Sequence, residues 1–211
     1  MKLIKLLITV LLFTACNNAQ TTEAKKQNIE TGVLTDNFDY ICKEAGWATK
    51  IPKNWGVMEM ADVDKMTAEG LKKLKEGTNI EMSVAGLTQL INLKKDQFNY
   101  FLSSIEPYDA KVYANYDEHV DELGTLITDT YKAKNIQYEY VKSNTTIDGL
   151  EFKVMEIKVF TPDRKETLMT QKLILRAIDK YDFGMTLMYN SEKDKQTLQS
   201  IIDQSKFSIR N

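Results

Sequence analysis

The sequence predicts an α+β fold, because one clear amphipathic helix and a long run of strand patterns occur in a chain of single-domain length. Over residues 116–134, apolar residues recur at steps of three and four, which is the spacing of one helix face. From residue 137 onward, successive apolar stretches are separated by turn signals, which is typical of an antiparallel β-meander. Residues 37–211 are enough for one domain with a sizeable core.

The first elements of the domain are two strands, a turn and a helix. A strand is predicted at 38–42 and another at 47–51, where Trp47, Thr49 and Ile51 alternate with polar or small residues. Pro52 starts a turn. A helix is expected over 61–76, with Gly77 as its stop.

Three extended stretches then lead to the clearest helix of the chain. They cover 80–84, 87–93 and 98–105. In the helix at 116–134, Gly124 costs up to ~1 kcal/mol relative to alanine, so it predicts a close approach of the helix to a sheet. The expected buried stripe consists of Tyr116, Val120, Leu123, Ile127 and Tyr131.

The meander opens with a hairpin across Asp148-Gly149, a strong signal for a two-residue turn. In the second strand, 150–160, the apolar residues change phase at Val154-Met155. Either a β-bulge lies there or both faces of the strand are buried. Strands follow at 167–178 and 183–189, and Ser191 with Asp194 begins a final helix as a capping-box-like pair.

The N-terminus carries the pattern of an export signal that ends in a cysteine. Two lysines precede an apolar run at 6–13, and Thr14-Ala15 comes directly before Cys16. This pattern resembles the lipobox of bacterial lipoproteins. That resemblance implies removal of residues 1–15 and lipidation of Cys16 by a diacylglyceryl group and an acyl chain. The alternative is an ordinary secretory signal with a coincidental cysteine.

The predicted domain organisation is a signal peptide at 1–15, a flexible tether at 16–36 and one folded domain at 37–211. The tether is polar and holds too few large apolar groups to fold. A flexible chain of this length has an average reach of roughly 25 Å. Asn17 after the cysteine favours the outer membrane, facing the periplasm, over the inner membrane. The predicted partners are therefore the membrane, through the lipid, and an envelope protein or a small ligand.

Charge and cysteine content exclude several classes of protein. Removal of the signal peptide takes away two lysines and changes the net charge from −2 to −4. No basic block marks a nucleic-acid surface, so no nucleic acid is expected as a partner. Cys42 is the only cysteine left once Cys16 is lipidated, so no internal disulfide can form, and Cys42 is expected to be a buried thiol.

Short motifs at both ends of the domain point to a fold family. The opening strand runs into Ile51-Pro52-Lys53-Asn54-Trp55, and the last long strand, 183–189, is followed by a helix and by Ser205-Lys206-Phe207. These features resemble the PsbP-like superfamily, which includes photosystem extrinsic subunits and many bacterial envelope proteins. The resemblance implies an antiparallel sheet flanked by α-helices on both faces. It implies no chemistry, because a fold does not fix a function.

The domain shows no motif for catalysis or cofactor binding, and neither a cofactor nor a metal is predicted. His119 is the only histidine. Its acidic neighbours on the helix, Asp117, Glu118, Asp121 and Glu122, are interpreted as a solvated helix start, because zinc sites take three or four converging ligands. The preferred function is a non-enzymatic binding or assembly module. The alternative is a small envelope hydrolase that uses a pair of carboxylates.

Overall fold

The computed structural model describes residues 31–81, 83–108 and 115–208. Cys16 and the predicted signal peptide lie outside these ranges. Three α-helices are described: α1 (Met60–Thr78), α2 (Tyr116–Ala133) and α3 (Glu192–Asp203). The strands of the first half are β1 (Val33–Leu34), β2 (Asp39–Cys42), β3 (Trp47–Lys50), β4 (Gly56–Val57), β5 (Thr88–Gln89), β6 (Leu93–Lys94) and β7 (Tyr100–Pro107). Those of the second half are β8 (Tyr138–Ile147), β9 (Leu150–Phe160), β10 (Thr167–Ile178), β11 (Tyr181–Tyr189) and β12 (Lys206–Phe207).

The strands form two antiparallel sheets. The large sheet has the order β4-β6-β7-β11-β10-β9-β8, with β5 also paired to β7. The small sheet has the order β1-β2-β3-β12. Asp148 and Gly149 join β8 to β9 with positive φ angles of 48° and 81°, which confirms the predicted hairpin turn. The order of the large sheet places β7 directly beside β11, although 73 residues separate Pro107 from Tyr181 at the paired ends.

Both faces of the large sheet are buried, and this explains the phase change in β9. Val154 belongs to one hydrophobic cluster and Met155 to another, and both side chains are almost fully buried. The pairing of β9 with β8 and β10 runs through this point without a register shift, so no bulge is present there. The irregularity of this part of the sheet lies between Thr167 and Met169 of β10.

Different layers cover the two faces of the large sheet. Residues of α1 and α2 share one cluster with Met155 and its neighbours. The cluster on the opposite face contains α3 together with residues of the small sheet, such as Tyr40 and Trp47. The α+β class and the antiparallel sheet are therefore confirmed. Helices alone do not flank both faces, because the small sheet supplies much of the second layer.

Helix α2 packs closely on the large sheet at Gly124, as the cost of a glycine inside a helix predicts. A Cβ atom at this position would overlap the Tyr140 hydroxyl of β8 and lie 3.2 Å from the Met155 sulfur. A side chain at this position would therefore force Tyr140 or the helix to shift.

Several predicted boundaries differ from the structure. Helix α1 continues through Gly77 and ends where Asn79 adopts a left-handed conformation with φ 57°. The expected extended stretch at 80–84 contains no strand among its described residues. Strand β1 lies inside the predicted tether. Its two residues pair with β2, and the Tyr40 hydroxyl donates a hydrogen bond to the Thr31 carbonyl, so this part of the chain is joined to the domain. A two-residue strand is too short to produce a pattern in the sequence.

Cys42 is buried, as the sequence predicts. Cys42 is a free thiol with an exposed fraction of 1 %, and burial raises its pKa. Among the described residues, no helix has the length and apolar character needed to cross a membrane.

Candidate functional site: a buried Glu-His-Asp cluster

Two carboxylates face each other near one end of the central β7–β11 pair. Glu106 of β7 is the direct cross-strand partner of Asp182 of β11. Directly opposed residues in an antiparallel pair have their side chains on the same face, at a Cβ separation of about 5 Å. Both side chains are buried, with exposed fractions of 4 % for Glu106 and 7 % for Asp182. This pairing is unfavourable by itself, because like charges directly opposite each other destabilise a sheet.

Helix α2 brings a histidine to the two carboxylates. Its N-cap is Asn115, whose side chain accepts a hydrogen bond from the Asp117 amide. One turn further, His119 points away from solvent and is only 2 % exposed. Its Nε2 atom lies 2.8 Å from Oδ2 of Asp182. Glu106, His119 and Asp182 each offer one ligand atom, and these three atoms lie within 4.8 Å of one another.

Two tyrosines complete the surroundings of Asp182. The Tyr116 hydroxyl donates a 2.6 Å hydrogen bond to Oδ1 of Asp182, so that the two carboxylate oxygens have different partners. The Tyr108 ring packs edge-on against the Tyr116 ring at a centroid distance of 5.6 Å. The Tyr116 ring also contacts the His119 ring, at 5.9 Å. Asp182 is therefore held from two sides by residues of the first turn of α2.

The electrostatics of the cluster favour a protonated histidine and a protonated tyrosine. Burial by itself lowers the pKa of His119, but the hydrogen bond to Asp182 and the charges of Asp182 and Glu106 outweigh burial, and the net pKa is raised. Burial also raises the pKa of Tyr116 well above its ordinary value, and the negative charge of Asp182 adds to this effect. Tyr116 thus stays a hydrogen-bond donor at neutral pH.

The cluster combines an imidazole with two carboxylates in a site that is closed to solvent. An imidazole and two carboxylates are ligand types that bind divalent metal ions in proteins. The same pair of carboxylates is the composition that a hydrolase of the acid-pair type needs. Since Glu106 and Asp182 are both more than nine-tenths buried, neither is presented to a substrate in this structure.

The sequence-based interpretation of the helix start was correct for its four acids and wrong for His119. Asp117, Glu118, Asp121 and Glu122 are all exposed, and two of them form ion pairs with lysines of the large sheet. His119 lies on the buried face of the same helix. Its partners come from strands instead of the helix, so a search among neighbours in the sequence could not find them.

Tyr100 and the methionines of the meander lie outside the cluster and belong to the packing of the fold. Tyr100 is the first residue of β7 and Tyr108 follows its last residue. The length of the strand separates them, so Tyr100 does not join the ring contact between Tyr108 and Tyr116. The methionines of the meander fill the core, since all four are at most 6 % exposed. These are Met155, Met169, Met185 and Met188.

Comparison with known proteins supports the fold and no chemistry. No protein-family model matches the chain, and no curated protein matches it. Among solved structures, the chain is similar to the solution structure of cyanobacterial PsbP (CyanoP) from Synechocystis sp. PCC 6803. The TM-score is 0.51 at 10 % identity, over 89 % of this chain and 98 % of that chain. The PsbP-like fold expected from the terminal motifs is thus confirmed at the level of the backbone.

Proposed function

We propose that this protein is a cell-envelope lipoprotein, anchored to a membrane through Cys16, whose PsbP-like domain is a non-enzymatic binding or assembly module. The observation that carries the proposal is the N-terminal pattern, in which an apolar run and two small residues lead directly into Cys16. The outer membrane, with the domain facing the periplasm, is the proposed location.

The binding role is supported by the charged side chains of the domain, which connect its own helices and strands. The only described set of three metal-ligating side chains is the buried cluster of Glu106, His119 and Asp182. Lys153 pairs with Asp117, and Lys95 with Asp194, so these charges connect elements of the fold. A domain whose polar clusters hold its own elements together fits an assembly module better than a hydrolase with an open carboxylate pair.

The two cysteines of the chain allow a matched test of the anchor. Cys16→Ser should abolish metabolic labelling with a radioactive or alkyne-bearing fatty acid and move the protein out of the detergent-extracted membrane fraction. Cys42→Ser is the control, because Cys42 is buried in the domain and should have no effect on labelling. Labelling that persists in Cys16→Ser would overturn the anchor.

The role of the domain is tested separately from its anchor. Crosslinking in intact cells should join the protein to a specific envelope component. The full-length protein purified in detergent should retain the same component, and a variant without the domain should not. Turnover of generic ester, phosphate or glycoside substrates, lost in a single carboxylate variant, would instead establish the alternative of a small hydrolase. Glu106→Gln and Asp182→Asn are the variants to compare, since these residues form the described buried carboxylate pair.

A further inference from the structure

We propose that Glu106, His119 and Asp182 form a binding site for one divalent transition-metal ion, which joins helix α2 to the β7–β11 pair. The inference is independent of the lipid anchor and of any partner. It concerns residues from three separate elements that converge in the interior of the domain.

The ligand types select the class of ion. Zinc is bound in proteins by histidine nitrogens and by carboxylate oxygens at ~2.0–2.2 Å. Magnesium and calcium prefer oxygen ligands alone, so the imidazole of His119 disfavours them. One nitrogen and two oxygens give three protein ligands, which leaves coordination positions for water or a further group.

One of the distances in the cluster is close to that between two ligand atoms of one ion. Two ligand atoms at ~2.1 Å from one ion are about 3.0 Å apart when they subtend a right angle and about 3.4 Å apart in a tetrahedron. The separation of 2.8 Å between Nε2 of His119 and Oδ2 of Asp182 is near the first of these values. The separations among the three ligand atoms reach no more than 4.8 Å, whereas two atoms at ~2.1 Å from one ion are at most about 4.2 Å apart, so small side-chain movements are needed for all three to bind.

The types of the three groups also fit a divalent ion. Two acidic side chains lie buried side by side, and negative charge in the interior is costly unless it is compensated, which a bound cation would do.

Tyr116 has the position of an outer-sphere residue. Carboxylates and histidines that bind a metal usually make a further hydrogen bond, which fixes their orientation. The Tyr116 hydroxyl donates to Oδ1 of Asp182 and leaves Oδ2, the oxygen near His119, for the ion. We therefore assign Tyr116 as a positioning residue and Glu106, His119 and Asp182 as the ligands. Because these three ligands are buried and come from three elements, the ion would join α2 to the β7–β11 pair.

The test uses the fact that His119 is the only histidine of the chain. The full-length protein, purified in detergent without a histidine tag and stripped with EDTA, is labelled with ¹⁵N in the histidine ring. Addition of one equivalent of Zn²⁺ should move the two imidazole ¹⁵N resonances of His119 to the positions of a metal-bound ring. Elemental analysis after dialysis should give one zinc per chain.

Variants separate the ligands from the acidic surface of the same helix. Glu106→Gln and Asp182→Asn should each weaken Zn²⁺ binding at least 10-fold, as followed by the same resonances. Tyr116→Phe should weaken it by a smaller factor while the shift of the bound form remains. The control is the double variant Asp121→Asn with Asp129→Asn, which removes two exposed acids of α2 and should bind zinc like the parent protein.

The wild-type protein alone can overturn the inference, even if a ligand variant fails to fold. Unchanged His119 resonances at a fivefold excess of Zn²⁺, in protein whose other signals show the folded state, would contradict it. A response to Mg²⁺ without a response to Zn²⁺ would also contradict it, because an imidazole ligand requires the opposite preference.

Discussion

Asp182 lies directly opposite Glu106 in the β7–β11 ladder, and both carboxylates are buried on the face of the sheet that α2 covers. An arrangement of this kind is unstable unless other groups compensate it. His119 and Tyr116 from the first turn of α2 provide that compensation through one contact each with the two oxygens of Asp182. The first turn of α2 is therefore joined to the β7–β11 pair through the side chain of Asp182.

The first prediction concerns the hydrogen bond between Tyr116 and Asp182. Tyr116→Phe removes the hydroxyl and leaves a buried charged acceptor without its donor, which should cost about 2 kcal/mol of unfolding free energy in metal-free buffer. Urea denaturation of Tyr116→Phe, Asp182→Asn and the double variant measures the coupling. The two losses should not add, because the residues share one interaction. Additive losses would show that the hydrogen bond contributes nothing.

The cluster also shows which contacts a sequence can and cannot predict. The burial of Val120, Leu123 and Ile127 followed from their spacing, because helix periodicity is a local property. The convergence of Glu106, His119 and Asp182 did not, since Asp182 comes 63 positions after His119 and only the strand order brings them together. Nothing in the sequence around residues 106 and 182 signals that these strands are neighbours.

The second layer of the sheet was missed for a related reason. The pattern of Trp47, Thr49 and Ile51 predicted a strand correctly. It could not predict that this strand would join a separate small sheet, because hydrophobic alternation specifies a buried face and not the element that covers it. The phase change at Val154-Met155 is a similar case, in which two buried faces and a bulge give the same sequence pattern.

The second prediction concerns Gly124 in α2. Alanine at this position gains up to ~1 kcal/mol in helix propensity, but its methyl group overlaps the Tyr140 hydroxyl, and overpacking of this kind costs about 1–3 kcal/mol. Gly124→Ala should therefore lower the unfolding free energy. In a Tyr140→Phe background, where the overlapping oxygen is absent, the same substitution should cost less or become stabilising. An equal loss in both backgrounds would argue against the close contact.

The third prediction concerns the turn between β8 and β9. Gly149 has a φ angle of 81°, and an added Cβ atom there would meet nothing within 4 Å. Gly149→Ala should cost roughly 1–2 kcal/mol, and the entire loss comes from the left-handed backbone conformation. Gly56 is the matched control, because its Cβ would make only an ordinary 3.5 Å contact with the Lys94 carbonyl. Gly56→Ala should change the midpoint of urea unfolding much less than Gly149→Ala.

The fourth prediction concerns Asp194 at the start of α3. Burial alone would raise its pKa, but hydrogen bonds from Lys95 at 2.6 Å and from Ser191 at 2.7 Å outweigh burial and lower it. A carboxylate whose pKa is lower in the folded state stabilises the fold above its unfolded pKa. This contribution disappears as the pH falls through the folded pKa.

Asp194→Asn should therefore be less stable than the parent protein by about 1 kcal/mol at pH 7, because a buried carboxylate loses its charge while solvent screens its partly exposed partner Lys95. The difference between the two proteins should shrink progressively below about pH 5, since the parent protein also loses its carboxylate charge there. Urea denaturation at pH 7, 5, 4 and 3 measures the difference directly.

Glu192→Gln is the control, because Glu192 lies in the same helical turn with an exposed ion pair to Lys195 and should have little effect at any of these pH values. A gap for Asp194→Asn that stays constant from pH 7 to pH 3 would mean that ionisation of Asp194 does not stabilise the fold. The helix cap at Ser191, whose Oγ also accepts a hydrogen bond from the Asp194 amide, would then account for the whole effect.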